Sequence, residues 1–521
     1  MNHFNKKDIS RRNFVKGALA ASAGSLAVGS SLFSGIASAE TVKKGGTIRI
    51  AIESSDPSES MDPIKLNSNI EAARCTQIYN SLVRMGNDLK PEPALAESWE
   101  ADPTATLWTF NIRKGVEFHN GKTLTSADVI YSLKRHLGPD TESRIKAFME
   151  QITEISADGD HVVRIKISSP NSEFPITLSS PRAMIIPEGH TDFENPIGTG
   201  PFKMGEFKAG ISSTFVRQDN YWKEGLPHAD AVETFSIPDP VARMNALFAG
   251  EIHLAISIDA KSIPLFEMTP SVEVIAAKGG QKVYNAMMCN RGPTDNKDFR
   301  LAMKYLQDRE RVLKSVYKGF GQIGNDHPIA PSDPMYCADI PIRPYDPDKA
   351  KFHLKAAGME NATVNIYTST TAGPGNVEQS LVFQQSAAAA GLTVQVNQTP
   401  PEGYWSHTAE KYPIFGSHWN ARPTADLMYA TTHMTSSPGN ETKYFNKTID
   451  QLIAQARAEL DDTKRKAIWC DLQMIVHEDG GDLVSCFVDY LHGRSANLMG
   501  VEPHPSGGLS DQFSAESAWL A

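Results

Sequence analysis

The sequence predicts an α/β protein of at least two lobes, and three observations carry that expectation. Residues 363–369, 376–391 and 393–398 read TVNIYTS, NVEQSLVFQQSAAAAG and TVQVNQ. This is a β-α-β unit, which requires parallel strands and a right-handed crossover. Strand and helix signals alternate along the whole chain, as in mixed α/β architectures. About 480 residues follow an N-terminal leader, more than one hydrophobic core organises.

The elements follow in order. TIRIAI (47–52) is a first strand, and 68–85 carries apolar residues at helical spacing up to Gly86. LWTFNIR (107–113) is a strand. Thr125 with Asp128 makes a capping-box start for SADVIYSLKRHL. HVVRIKI (161–167) sets Val163, Ile165 and Ile167 on one face and Arg164 and Lys166 on the other, a half-buried strand. DPVARMNALFAG is a short helix stopped by Gly250, and Gly391 stops the crossover helix. Helices run from about 449 to 473 with a break near Asp461-Asp462, and DLVSCFV (482–488) returns as a strand.

The leader reads as an export signal. SRRNFVK (10–16) precedes an apolar, small-residue run over 17–36, and Ala37-Ser38-Ala39 supplies a cleavage site. The paired Arg11-Arg12 with Phe14 and Lys16 resembles a twin-arginine signal, which makes the twin-arginine translocase the expected export partner and the periplasm the destination. Gly and Ser interrupt the apolar run, which disfavours a stable membrane span. No Cys follows the cleavage site to take a lipid anchor. The leader holds five Lys/Arg and one Asp, so its removal takes the net charge from −10 to −14. That acidity argues against nucleic acid or anionic membrane as a partner.

The five cysteines, Cys75, Cys289, Cys337, Cys470 and Cys486, form no CxxC pair, so neither a zinc site nor a thioredoxin-like centre is supported. An exported protein can form disulfides. Cys470 and Cys486 lie nearest in sequence, spacing does not fix pairing, and buried free thiols fit equally well. GTGPFKMG (198–205) lacks the Lys-Ser/Thr of a phosphate loop and reads as a structural turn. HEDGG (477–481) lacks the second His of a zincin helix. There is no GxSxG, and the 15 His fall without ligand spacing. No catalytic group, metal site or cofactor is expected.

HWNARPTADL (418–427) sets Trp419 three residues before Arg422, with a Pro at once after it. Two readings stand: a solvated surface turn, or a ligand platform in which Trp419 offers a flat face and Arg422 a fork for a carboxylate.

Long collinear blocks then point to a family. PALAESWEADPTATLWTFNIRKGVEFHNGKTLTSADVIYSLKRHL (93–137) is the longest, with Trp99 and Trp108 as apolar anchors. It is followed by NPIGTGPFKMGEF, RQDNYWKEGLPHADAVETFSIPD (217–239), ALFAGEI (246–252), NRGPTDNKDFRLAMKYLQDRERVL (290–313) and YDPDKAKFHLKAAG (345–358). The series resembles the family 5 extracellular solute-binding proteins, the peptide, dipeptide and nickel receptors of ABC importers.

The resemblance implies a two-lobed periplasmic-binding-protein fold of type II, cluster C, with a subdomain inserted in lobe I. Lobe I is placed at 40–283 with the insert at about 80–187, lobe II at 284–487, and the return to lobe I at 488–521. Two crossing strands, near 282–288 and 484–488, form the hinge, and the ligand lies between lobes that close on it. In peptide-binding relatives the Trp is followed three residues later by an Asp that grips the ligand's ammonium; here Arg422 reverses the charge. The resemblance therefore implies an anionic group on the ligand held by Arg422, with Trp419 packed on its planar part. The competing partner for Arg422 is Asp426, one helical turn on. Asn420, His418, Trp405, Tyr284, Asn285, Asn67 and Arg144 are the further candidates. The implied activity is capture of a small peptide or peptide-like anion by a monomer and its delivery to permease subunits, with no chemistry performed. A non-peptide ligand (an opine, a glutathione-like compound, a metal chelate or haem) is the alternative within the fold. A periplasmic enzyme or folding helper is the alternative outside it.

Overall fold

One continuous sheet of eleven strands runs through the computed structural model, which describes residues 42–54, 56–507 and 515–521. From one edge its order is Thr393–Gln398, Thr363–Thr368, Ile414–Trp419, Val272–Met287, Asp482–Ser495, Leu254–Ala255, Thr47–Ile52, Ala231–Ser236, Ser212–Arg217 and Phe202–Lys208, with Gly321–Ile323 paired to Asp482–Ser495 off this path. The leader lies outside the described residues, so its reading as an export signal stays an expectation.

Two strands are far longer than the rest. Val272–Met287 has 16 residues and Asp482–Ser495 has 14, against six in most of their neighbours. That length lets one antiparallel pair serve two lobes. At one end Val272–Ala277 pairs with Tyr490–Ser495, beside the strands of lobe I. At the other, the stretch 281–287 pairs with Ile414–Trp419 on one side and with 482–488 on the other. The register slips between Ala277 and Gln281, so the ladder is interrupted there.

Local chemistry accounts for the elements. Val163, Ile165 and Ile167 are buried while Arg164 and Lys166 are exposed, as the alternation predicts. Thr125 and Asp128 form the reciprocal capping box of the helix Ser126–Lys134. Asp239 caps Pro240–Phe248 by accepting from the Ala242 N–H. Thr363–Thr368 and Thr393–Gln398 are parallel across the helix Asn376–Ala387. The break at 461 is real: Asp461 caps a new helix, Asp462–Asp479.

The helix expected over 68–85 is shorter than its spacing suggests. It covers Asn69–Ile78, and Tyr79 turns to extended geometry at φ −120°, ψ 161°. The cause lies in GTGPF. The Gly200 N–H takes the Ile78 carbonyl at 2.8 Å, and a side chain at either Gly198 or Gly200 would collide with that carbonyl. The chain then forms Val83–Met85, paired with Pro91–Pro93, and buries Leu82 and Val83. The glycine-rich stretch is therefore structural. The disulfide joins Cys337 to Cys470, while Cys75, Cys289 and Cys486 are free thiols.

Separate cores fill the parts. Ile48, Ile50, Ile52, Ile70, Phe202 and Phe215 pack together in lobe I. Trp108, Phe110 and Phe174 centre the four-stranded sheet Ala96–Ala101, Leu107–Ile112, Val162–Ile167, Ile152–Ala157. Phe299, Leu354 and Phe383 lie on one side of the lobe II sheet, and Tyr429 stacks on Trp469 at 5.8 Å on the other.

The four-stranded body touches the helices of lobe II. The Ser172 N–H donates to the Arg457 carbonyl at 2.8 Å, and Glu173 Oε1 lies 3.8 Å from Arg465 Nε. Glu173 also faces Asp426, Thr424 and Asp333. Burial first, then the Asp426 carboxylate, raises the Glu173 carboxyl to about 7. A glutamate in the unfolded chain titrates near about 4.3, so the folded chain holds an extra proton between these values. The resulting stabilisation is complete below the lower value and is lost as pH rises through the upper one. Melting temperatures measured across this window should fall more steeply with pH for the wild type than for Glu173→Gln; superimposable pH slopes would contradict the assignment.

Candidate functional site

The strand Ile414–Trp419, paired antiparallel with the stretch 282–287, ends in the Trp-Arg stretch. Its alternation puts Phe415, Ser417 and Trp419 on one face and Gly416 and His418 on the other. Antiparallel register sets Lys282 opposite Trp419 and Tyr284 opposite Ser417, so these four side chains share a face. Pro423 then ends extended pairing, and Thr424 caps the helix Ala425–Thr432 by accepting from the Leu427 N–H at 3.2 Å.

A carboxylate organises that face. Glu441, in the loop between helices Ala425–Thr432 and Lys447–Ala458, accepts three hydrogen bonds on Oε2. They come from Tyr284 Oη at 2.7 Å, Ser417 Oγ at 2.7 Å and Trp419 Nε1 at 3.2 Å. Burial raises the Glu441 pKa, opposed by these donors and by the Lys282 charge. Beneath it Lys282 Nζ lies 3.9 Å from the centre of the Tyr284 ring and 2.6 Å from Asp482 Oδ1. Both members of this ion pair are 0 % exposed. His433 Nε2 lies 3.0 Å from Asp482 Oδ2. Burial alone would raise the Asp482 pKa; Lys282 and then His433 reverse this and hold it far below the usual carboxylate range.

Arg422 lies over the same indole, its guanidinium carbon 5.4 Å from the Trp419 ring centre. Among the described residues no carboxylate pairs with it. The competing partner is occupied: Asp426 Oδ1 accepts from Arg457 Nε at 2.7 Å. Burial lowers the Arg422 pKa, and the Tyr490 hydroxyl beside it offsets part of that shift. Tyr490 also accepts the Ala421 N–H at 3.2 Å, which ties the Trp-Arg turn to the strand Asp482–Ser495. This needs Gly279, since a Cβ there would lie 2.4 Å from the Tyr490 ring.

The other candidates divide. His418 packs on Trp405 at 5.7 Å, and burial lowers its pKa. Trp405 is 43 % exposed and meets Tyr404 edge-on at 5.1 Å. Asn420 is exposed and accepts from Gln281 Nε2 at 2.9 Å. Tyr284 and Asn285 are buried, but Asn285 points away from Glu441 and accepts from Ser380 Oγ at 3.2 Å. Asn67 and Arg144 lie elsewhere. Both are exposed; the Asn67 N–H bonds Glu71 Oε2 at 2.8 Å and the Arg144 N–H bonds the Ile64 carbonyl at 3.1 Å. Neither shares a hydrogen bond, ion pair or ring contact with the cluster.

The arrangement combines a planar aromatic, a cation with no carboxylate partner among the described residues and a fixed carboxylate. Among the described residues no group of three or more His, Cys, Asp or Glu could hold a metal ion, and no helix is long and apolar enough to cross a membrane. The model of the bacterial extracellular solute-binding proteins, family 5, matches residues 90–441, well over half the chain. The chain is a family 5 solute-binding protein. Heme-binding protein A of Haemophilus influenzae is 27 % identical over 444 residues, covering 78 % of this chain and 80 % of that protein. The glutathione-binding protein GsiB of Escherichia coli K12 is 25 % identical over 471 residues, covering 87 % and 91 %. Among solved structures, HbpA2 of Haemophilus parasuis superposes with a TM-score of 0.81 at 19 % identity, covering 91 % of this chain and all of that one. The two-lobed fold read from the sequence is thus the fold of this family 5 protein.

Glu441, Tyr490, Lys282, Asp482 and His433 were not among the sequence candidates. Only Lys282 and Asp482 leave a trace, each a lone charge beside an apolar strand run, in QKVYNAMM and GDLVSCFV. Removing one partner of a fully buried pair leaves the other charge uncompensated. Lys282→Met is therefore expected to destabilise the fold by about 3–5 kcal/mol, read from urea denaturation; a loss below about 1 kcal/mol would refute the pair's structural weight.

Proposed function

We propose that this chain is the periplasmic receptor of an ABC importer, capturing a small peptide or peptide-like, anionic ligand between its lobes and handing it to the permease subunits. Family membership supports the receptor class. The unpaired guanidinium of Arg422 carries the ligand chemistry. A half-buried cation with no carboxylate partner needs an acceptor, and a ligand carboxylate supplies a bidentate one. Trp419 packs beneath it as the apolar platform. The relatives named for heme and for glutathione support this reading, because both of those ligands carry carboxylates. Closure of the lobes strengthens the contact by removing water from it. The protein acts as a monomer after export by the twin-arginine translocase and cleavage near Ala39, and it performs no chemistry on its cargo.

A thermal-shift screen across peptides, opines, glutathione-like compounds and metal chelates identifies the ligand, since a bound ligand stabilises by about 2.7 kcal/mol at a hundredfold excess over Kd. Steady turnover of any of them would replace the receptor reading with an enzymatic one. With the ligand in hand, Arg422→Ala should weaken binding by about 2–5 kcal/mol while circular dichroism is unchanged. Unaltered affinity in that variant would refute the role of Arg422.

A further inference from the structure

Two opposite charges without ionic partners flank one indole. Arg422 lies over the ring of Trp419. Glu441 holds the Nε1–H of the same ring. Glu441 forms no ion pair, and its three donors, Tyr284, Ser417 and Trp419, are neutral. All three bond Oε2; among the described residues no donor reaches Oε1, and the side chain is only half-buried. The nearest cation, Lys282, is committed to Asp482. Asp426, four residues beyond Arg422 in sequence, is committed to Arg457.

Counting partners decides what the site can accept. A ligand that brings only an anion satisfies Arg422 and leaves Glu441 Oε1 without a donor. A ligand that also brings a cation supplies that oxygen with a charge-assisted contact.

We infer that Glu441 is the second half of the ligand site, with Oε1 taking a cationic group of the ligand while Arg422 takes its anionic group, so that the cargo is a zwitterion spanning Trp419. This rests on the proposed role of Arg422 and adds to it a residue and a constraint on the ligand. Oε2 stays with its three donors and fixes the carboxylate, so the ligand meets a rigid acceptor that needs no rearrangement. The arrangement also explains why a carboxylate is placed where neutral acceptors would serve Tyr284, Ser417 and Trp419 equally well.

The test uses one pool of dipeptides and tripeptides in three forms: free, N-acetylated (no cation) and C-amidated (no terminal carboxylate). Binding to the full mature chain is measured by titration calorimetry for the wild type, Glu441→Gln and Arg422→Ala. The isosteric Gln keeps an acceptor for the three donors, and equal melting temperatures verify the fold. The wild type should prefer free over N-acetylated peptides by at least about tenfold, the scale of one charge-assisted contact. Glu441→Gln should erase that preference and keep the preference for free over amidated peptides. Arg422→Ala should do the reverse. A Glu441→Gln chain that still discriminates against acetylation overturns the zwitterion. So does a wild type that binds the N-acetylated pool as tightly as the free one, or that takes up no free-amine peptide. Loss of the Arg422 effect alone, with the Glu441 effect intact, overturns the role of Arg422 and leaves Glu441 as the cation site.

Discussion

The ion pair between Lys282 and Asp482 sets the frame for everything above it. Each residue sits on one of the two longest strands of the sheet, and neither is exposed to solvent. Removing two charges from solvent is expensive, and the cost is met only when geometry is good and remaining lone pairs are satisfied. Here the second Asp482 oxygen faces His433, and the ammonium lies against the Tyr284 ring. The pair therefore fixes the two strands in register at the level where Tyr284 and Ser417 meet Glu441. From Asp482 to Arg422 the contacts run without a gap: carboxylate, ammonium, phenol, carboxylate, indole, guanidinium. Each group's orientation is set by the one below it, so the exposed end inherits its position from a core that cannot slip.

The periodic parts of this structure were legible in the sequence because period and burial coincide there. Val163, Ile165 and Ile167 alternate and are buried, and the Thr125 capping box and the β-α-β unit at 363–398 form as their residues dictate. The reading of 68–85 as one helix failed at Tyr79, because the determining contact, Gly200 on the Ile78 carbonyl, comes from more than a hundred residues away. Disulfide pairing was illegible for the same reason: Cys337 and Cys470 are separated by 133 residues, and spacing does not fix a pairing.

The site divides along the same line. Trp419 and Arg422 stood out because they are close in sequence and chemically conspicuous. Glu441 did not, since NETK is an ordinary loop until folding places it under Ser417 and Trp419. Tyr490 lies two residues past the strand read from the sequence, yet its hydroxyl holds the Ala421 amide and its ring fills the space that Gly279 leaves open. Asn285 illustrates the converse error. It sits one residue from Tyr284 and so on the opposite face, toward the helix Asn376–Ala387.

The contact between Asp426 and Arg457 reaches further than its own stability. It removes from play the acid that lies one turn beyond Arg422. Were residue 457 to lose its charge, nothing would offset the burial that pushes the Asp426 carboxyl up. Asp426 would then take up a proton, and its repulsion of the Glu173 carboxylate would vanish with its charge.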